Sequence, residues 1–167
     1  VFEKMGMGGA FCHSRVGLRT EYLSDEWFEL INRCAAKGKR DGMEMWLYDE
    51  DRYPSGTAGG MVTENRELGI HYLRLNKAQG EFKFSEEVIS AFILEFKEEK
   101  IARKERIFAD AAVPAGCEIW YFTSEIMNSG SFYNGNPYAD NANPETVERF
   151  IELTHKRYVE KCGDYIK

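Results

Sequence analysis

The sequence contains no apolar run approaching the roughly 18 to 20 residues that a membrane-spanning helix requires. Its first residues do not resemble a signal peptide, and it contains no internal repeat or low-complexity segment. With 43% hydrophobic and 14% aromatic residues among 167, its composition is not that of a disordered chain. The sequence predicts one globular domain, or a large piece of one, without a membrane partner.

An excess of positive charge is also missing, because the net charge is -6 at pH 7. Nucleic-acid binding depends on attraction between basic side chains and phosphates. The one denser basic stretch, residues 97–106, is interrupted by acids and is typical of a solvated face. The sequence therefore predicts no nucleic-acid partner.

Cysteine is scarce, and no C-x-x-C pair is present, so a zinc site is not expected. Free buried thiols are the simpler interpretation, although four cysteines could also pair. Free thiols favour a reducing compartment such as the cytoplasm. The chain begins with Val1 rather than Met, so a secreted or periplasmic location stays open if the natural start lies further upstream.

The first 48 residues have the pattern of a strand, a helix and a second strand. An apolar, Gly-rich run at 5–13 predicts the first strand, and the run at 43–48 predicts the second. Between them, Ser24 is a typical N-cap and Gly42 a typical helix end. The pattern predicts a βαβ unit.

The remainder of the chain changes character twice. Residues 63–122 contain strand-like runs joined by polar connections, which predicts an inserted, mostly antiparallel subdomain. The run at 118–122 could close this insertion or return the chain to the first segment. Asn143 and Pro144 then open a helix that ends at Gly163. We therefore expect three segments, 1–62, 63–122 (α+β) and 123–167.

Three consecutive acids follow the second predicted strand, and ligands of α/β proteins bind at this end of the strands. On an extended backbone Asp49 and Asp51 share one side, whereas Glu50 points to the other. We expect Glu50 or Asp49 to be catalytic or to contact a sugar, and Asp51 to pair with Arg52. A solvated loop without function and a Ca²⁺ site are the alternatives.

The neighbours of the acids suit a carbohydrate, because carboxylates accept hydrogen bonds from hydroxyl groups, Arg donates them, and aromatic rings pack on sugar faces. His13 and Arg15, at the end of the first strand, are expected near the same rim, unless Arg15 only pairs with a loop acid. Tyr53 is expected to stack on a sugar. The candidate substrate-binding residues are His13, Arg15, Asp51, Arg52 and Tyr53.

Other polar and aromatic residues are weaker candidates. Trp27 and Trp46 are expected in the core, and His155 is expected to be packed or on the surface. The loop residues Asn134, Asn136 and Tyr138 could line a cleft.

Three blocks of sequence together resemble a known family. They are GGAFCHSRVGL at 8–18 with YLSDEWF at 22–28, WLYDEDRYPSGTAGG at 46–60, and YADNANPETV at 138–147 followed by FI at 150–151 and THKRY at 154–158. They are similar to the catalytic (β/α)8 barrel of bacterial glycoside hydrolases related to the α-L-rhamnosidases of family 106.

The resemblance implies an α/β fold, a partial TIM (β/α)8 barrel in which 1–62 holds the first βα units and 123–167 returns to the barrel. It implies a hydrolase that cleaves glycosidic bonds of plant or bacterial polysaccharide with a carboxylate pair and no cofactor. The alternative function is a non-catalytic carbohydrate-binding or scaffold module.

A complete barrel takes about 250 residues, so the chain is expected to be a fragment. Its second catalytic acid would lie beyond residue 167, and the fragment alone would be inactive. Exposed barrel edges would favour self-association.

Overall fold

The structure is a computed structural model that describes residues 1–15 and 17–165. Val16, in the first block of the resemblance, and Ile166 and Lys167, at the end of the third predicted segment, lie outside the described residues. The chain divides into two compact units, one formed by Val1–Ile70 with Met127–Lys167 and the other by His71–Ile126. We call them unit 1 and unit 2.

Unit 1 begins with a parallel βαβ arrangement. Its elements are β1 (Gly9–Cys12), α1 (Asp25–Asp41) and β2 (Glu44–Leu47), and β1 pairs with β2 in parallel. The Ser24 side chain accepts a hydrogen bond from the Trp27 amide, and Gly42 ends α1 with a φ of 67°. The predicted βαβ unit and both helix caps are confirmed.

The second half of unit 1 is helical from residue 144. It contains α2 (Pro144–Ile151), a π-helical turn (Glu152–Lys156) and α3 (Arg157–Cys162). Asn143 caps α2 by accepting from the Glu145 amide, with Pro144 at the start, as predicted. Short 3₁₀ turns connect the elements of this unit, at Glu3–Met5, Ala58–Gly60, Val62–Glu64, Arg66–Leu68, Ser131–Tyr133 and Gly163–Tyr165.

The core of unit 1 lies between α1 and α3. Buried apolar side chains of the two helices meet there, and Trp27 Nε1 donates to the Tyr158 hydroxyl at 2.9 Å. Cys12 and Leu47 pack against this core from one face of the β1–β2 pair. The packing fixes the ends of both strands relative to the helices.

Unit 2 is an antiparallel β structure. Its strands are β3 (His71–Ala78), β4 (Glu81–Phe82), β5 (Val88–Lys97), β6 (Lys100–Ile107), β7 (Ala111–Ala112) and β8 (Cys117–Ile126). Four of them form a sheet in the order β3-β8-β5-β6, and β4 pairs separately with β7. The run at 118–122 therefore lies in β8, between two antiparallel neighbours.

The predicted partial TIM barrel is wrong. The structure has about 33% helix and 30% strand, its largest sheet is antiparallel, and alternating βα units do not recur in the part of the chain that it describes. Each barrel strand is followed by a helix and then by a parallel neighbour, and here only β1 satisfies this among the described strands. A single βαβ unit is common to many α/β folds, so its pattern does not specify a barrel.

None of the helices that the structure describes is both long and apolar enough to cross a membrane.

Candidate functional site

The chain leaves β2 at Leu47 and places three acids in an irregular segment of unit 1. Each acid contacts a different set of residues. The candidate site is the environment of Asp49, Glu50 and Asp51.

Asp49 is held by hydroxyl groups. Ser55 Oγ donates to its Oδ1 at 3.0 Å, and the Tyr22 hydroxyl donates to its backbone carbonyl at 3.0 Å. The Asp49 side chain retains 39% of its exposure, so a ligand can reach it. Asp49 is therefore an oriented and accessible carboxylate.

His155 also lies beside Asp49, with 3.9 Å between His155 Nε2 and Asp49 Oδ2. It belongs to the π-helical turn, where Nδ1 of its ring is 2.9 Å from Thr154 Oγ1. Such turns are rare and are frequently found at functional sites. The His155 side chain is 55% exposed, so its expected place on the surface is confirmed, while its contact with Asp49 was not predicted.

Glu50 is the buried acid of the three, with 8% of the residue exposed. Glu50 Oε1 lies 3.5 Å from His13 Nε2, which is longer than a hydrogen bond between these atoms. His13 Nε2 is buried without a hydrogen-bond partner among the described residues. His13 Nε2 therefore has unused hydrogen-bonding capacity beside the Glu50 carboxylate.

Asp51 and Arg52 hold the loop together. Ser14 Oγ donates to Asp51 Oδ1, and Arg52 Nε lies 3.4 Å from Asp51 Oδ2, so the predicted pairing is present. The Arg52 guanidinium also donates to the Phe132 carbonyl at 2.9 Å. These contacts give both residues a structural role, and a substrate contact by either one stays a prediction.

Three residues of the 134–138 loop, which could line a cleft, bind the backbone after the acids. Tyr138 donates to the Ser55 carbonyl at 2.9 Å, Asn134 to the Gly59 carbonyl at 2.5 Å and Asn136 to the Gly60 carbonyl at 3.2 Å. A Cβ at Gly60 would lie 2.5 Å from the Tyr133 carbonyl oxygen, so this approach requires glycine. The 134–138 loop and the segment that follows the acids are therefore held together beside the candidate site.

Tyr53 and Arg15 are on the surface. Tyr53 is 73% exposed and precedes Pro54 through a cis peptide bond. Arg15 is exposed, and no ion pair joins it to an acid among the described residues. The structure does not bring either side chain to the Glu50 carboxylate, and both remain predicted substrate contacts.

Aromatic rings cover the face of the β1–β2 pair that is turned away from α1. Phe11 and Trp46 are register partners with ring centroids 5.0 Å apart, and Tyr48 lies 6.2 Å from Phe11. Trp46 is 53% exposed, so its predicted place in the core is wrong, whereas Trp27 is 5% exposed as expected. We call Phe11, Trp46 and Tyr48 the aromatic strip.

The strip continues into the acidic site. The His13 ring stacks on Tyr48, with centroids 4.0 Å apart, and reaches Glu50 through its Nε2 atom. The side chains of one sheet face therefore lead from Trp46 to the buried acid.

Burial also affects the phenol that supports Asp49. Burial raises the pKa of Tyr22 well above its usual range, and the neighbouring Tyr158 and the charges of Asp49 and Asp51 raise it further. The hydroxyl group therefore keeps its proton and remains a donor to the Asp49 carbonyl at neutral pH.

No group of three or more His, Cys, Asp or Glu within residues 1–15 and 17–165 is arranged to hold a metal ion. The calcium alternative remains a prediction that rests on the sequence alone.

No protein-family model matches the sequence, and searches of curated proteins and of solved structures found no similar protein. The resemblance to glycoside hydrolases accordingly stays a prediction.

Proposed function

We propose that this protein hydrolyses glycosidic bonds of plant or bacterial polysaccharide, with Glu50 or Asp49 as one member of its carboxylate pair. The observation that carries the proposal is the contact between Glu50 and His13. Buried polar groups without hydrogen-bond partners are rare and costly. A sugar hydroxyl group bound beside Glu50 and His13 would supply the missing partner of His13 Nε2.

Glycoside hydrolysis generally uses two carboxyl groups, one to protonate the leaving oxygen and one to support attack at the sugar carbon. In the proposed site Glu50 is nearly enclosed and Asp49 is open, with 10% and 39% side-chain exposure. Ser55 orients Asp49, and the Tyr48 ring holds His13 beside Glu50. The resemblance to family 106 makes α-L-rhamnosides the first substrate class to test.

The test is the release of p-nitrophenol by the full-length gene product from a panel of aryl glycosides that includes the α-L-rhamnoside, because the fragment alone is expected to be inactive. Glu50→Gln and Asp49→Asn retain the shape of each side chain but remove its acid function. Each is expected to lower kcat by about 10² to 10⁴-fold, the range of a lost acid or base.

Glu87→Gln, at an exposed acid of unit 2, is the matched control and should keep the parent rate. Circular dichroism should show the parent fold in all three variants. Unchanged turnover in Glu50→Gln would remove Glu50 from the mechanism, and unchanged turnover in Asp49→Asn would require the second acid to come from elsewhere.

The alternative function is a non-catalytic carbohydrate-binding module, which the exposed rings of the aromatic strip favour. Such a module would bind polysaccharide and release no product from any glycoside. A binding measurement run beside the hydrolysis assay separates the two functions.

A further inference from the structure

The aromatic strip exposes rings in fixed positions. Phe11 is 60% exposed, Trp46 53% and Tyr48 37%. Trp46 Nε1 donates to Glu44 Oε2 at 3.0 Å, which orients the indole, and Phe11 packs edge-on against both other rings. Rings held in this way present apolar faces with little conformational entropy left to lose on binding.

A cavity of about 550 Å³ opens beside the strip, within the range of ligand pockets. It is lined by Gly8, Gly9, Ala10, Phe11, Glu44 and Trp46. A Cβ at Gly8 would meet no atom within 4 Å, so the cavity is open beside Gly8. The cavity is lined by the Phe11 and Trp46 rings and by the Glu44 carboxylate, which can accept hydrogen bonds.

The strip is too small for a stable protein interface. A fully buried aromatic side chain covers about 150 to 250 Å², so the exposed parts of these three rings offer about 300 Å². A specific protein interface buries about 800 Å² on each partner. A second copy of the chain is therefore the weaker candidate occupant.

We propose that the aromatic strip binds the sugar rings of an oligosaccharide or polysaccharide whose cleaved bond lies at Glu50. This inference rests on the proposed function and extends it from the cleaved bond to the surface that binds the neighbouring sugars. The apolar faces of successive sugars stack on Trp46, Phe11 and Tyr48, and carboxylates at both ends of the strip, Glu44 and Glu50, accept hydrogen bonds from hydroxyl groups. His13 connects the last ring to the acid.

The experiment measures binding of rhamnogalacturonan and xylan by affinity electrophoresis in the Glu50→Gln background, which needs no turnover. Trp46→Ala is expected to weaken binding about tenfold, since one aromatic contact is lost. Trp46→Tyr should keep most of the binding. Phe108→Ala, at a 71% exposed ring of unit 2, is the matched control and should bind as its parent does.

Three results would overturn the inference: equal binding by Trp46→Ala and its parent, no retardation of the parent by either polysaccharide, or a dimer that Trp46→Ala dissociates while polysaccharide binding is unchanged. Sedimentation velocity of the same samples detects the dimer. If binding depends on Trp46 while the protein releases no sugar from any glycoside, the proposed hydrolysis fails and the strip stands as a carbohydrate-binding surface.

Discussion

At the scale of single residues, Tyr22 connects the core of unit 1 to the candidate site. Its ring is 8% exposed and packs edge-on against Trp27, while its hydroxyl group donates to the Asp49 carbonyl. Tyr22 thus fixes the backbone of Asp49, the first of the three acids after β2, relative to the core. A change at Tyr22 should affect both stability and the position of Asp49.

Tyr22→Phe leaves the Asp49 carbonyl without this donor and should lower the free energy of unfolding at pH 7 by about 1 to 2 kcal/mol. The pKa of Tyr22 is raised in the folded protein. As pH rises, Tyr22 therefore loses its proton first in the unfolded chain, where a tyrosine ionises near pH 10. The contribution of Tyr22 to stability should therefore fall as pH rises above about 10. Tyr22→Phe should lose less stability than the parent between pH 7 and pH 10.5.

Urea unfolding at the two pH values measures both effects. Tyr165→Phe, at an exposed tyrosine of the same unit, should match the parent at pH 7. A parent and a Tyr22→Phe variant with identical stability at both pH values would show that the buried hydroxyl is not a stabilising donor.

The sequence predicted some residues of the site and missed others for a physical reason. Asp51 and Arg52 are neighbours in the chain, so their pairing follows from proximity. Tyr22, in the turn before α1, and His155, in the π-helical turn, reach Asp49 from distant parts of the chain, and only the tertiary packing brings them together.

At the scale of elements, the close approach of β1 and β2 positions both His13 and the acids. Gly9 faces Glu44 across the parallel pair, and a Cβ at Gly9 would lie 2.4 Å from the Glu44 carbonyl oxygen. That oxygen belongs to the backbone and cannot rotate away. The strand spacing therefore depends on glycine at this position.

Gly9→Ala should separate the two strands and destabilise the protein by about 1 to 3 kcal/mol, the usual cost of overpacking. Gly8→Ala is the matched control, since the added methyl group meets no atom within 4 Å. Thermal unfolding of both variants measures the difference. Equal stability of Gly9→Ala and Gly8→Ala would contradict the described register of β1 and β2.

The elements were predictable where short-range signals determine them. Ser24 and Asn143 accept hydrogen bonds from amides two or three residues later, so their caps are local. The π-helical turn at Glu152–Lys156 has no such signal, and neither does the order of strands in unit 2. The barrel prediction failed because neither the resemblance nor the one local βαβ unit determines how the remaining strands pair.

At the scale of the whole molecule, the residues of the candidate site come from two segments of unit 1. The parallel βαβ segment supplies His13, the aromatic strip and the acids, while the helical segment from residue 144 supplies His155 and packs α3 against α1. The proposed hydrolysis requires these segments to be folded together. Its central claim concerns one side chain, the carboxyl group of Glu50.

The most direct test of this claim is the initial rate of Glu50→Ala with and without sodium azide, measured on an aryl glycoside that the parent cleaves. The variant should be slower than the parent by at least about 10²-fold. Azide, a small anion that fits the space left by the carboxylate, should restore part of the rate and yield a glycosyl azide. A Glu50→Ala variant that keeps the parent rate without azide would contradict the proposed role of Glu50.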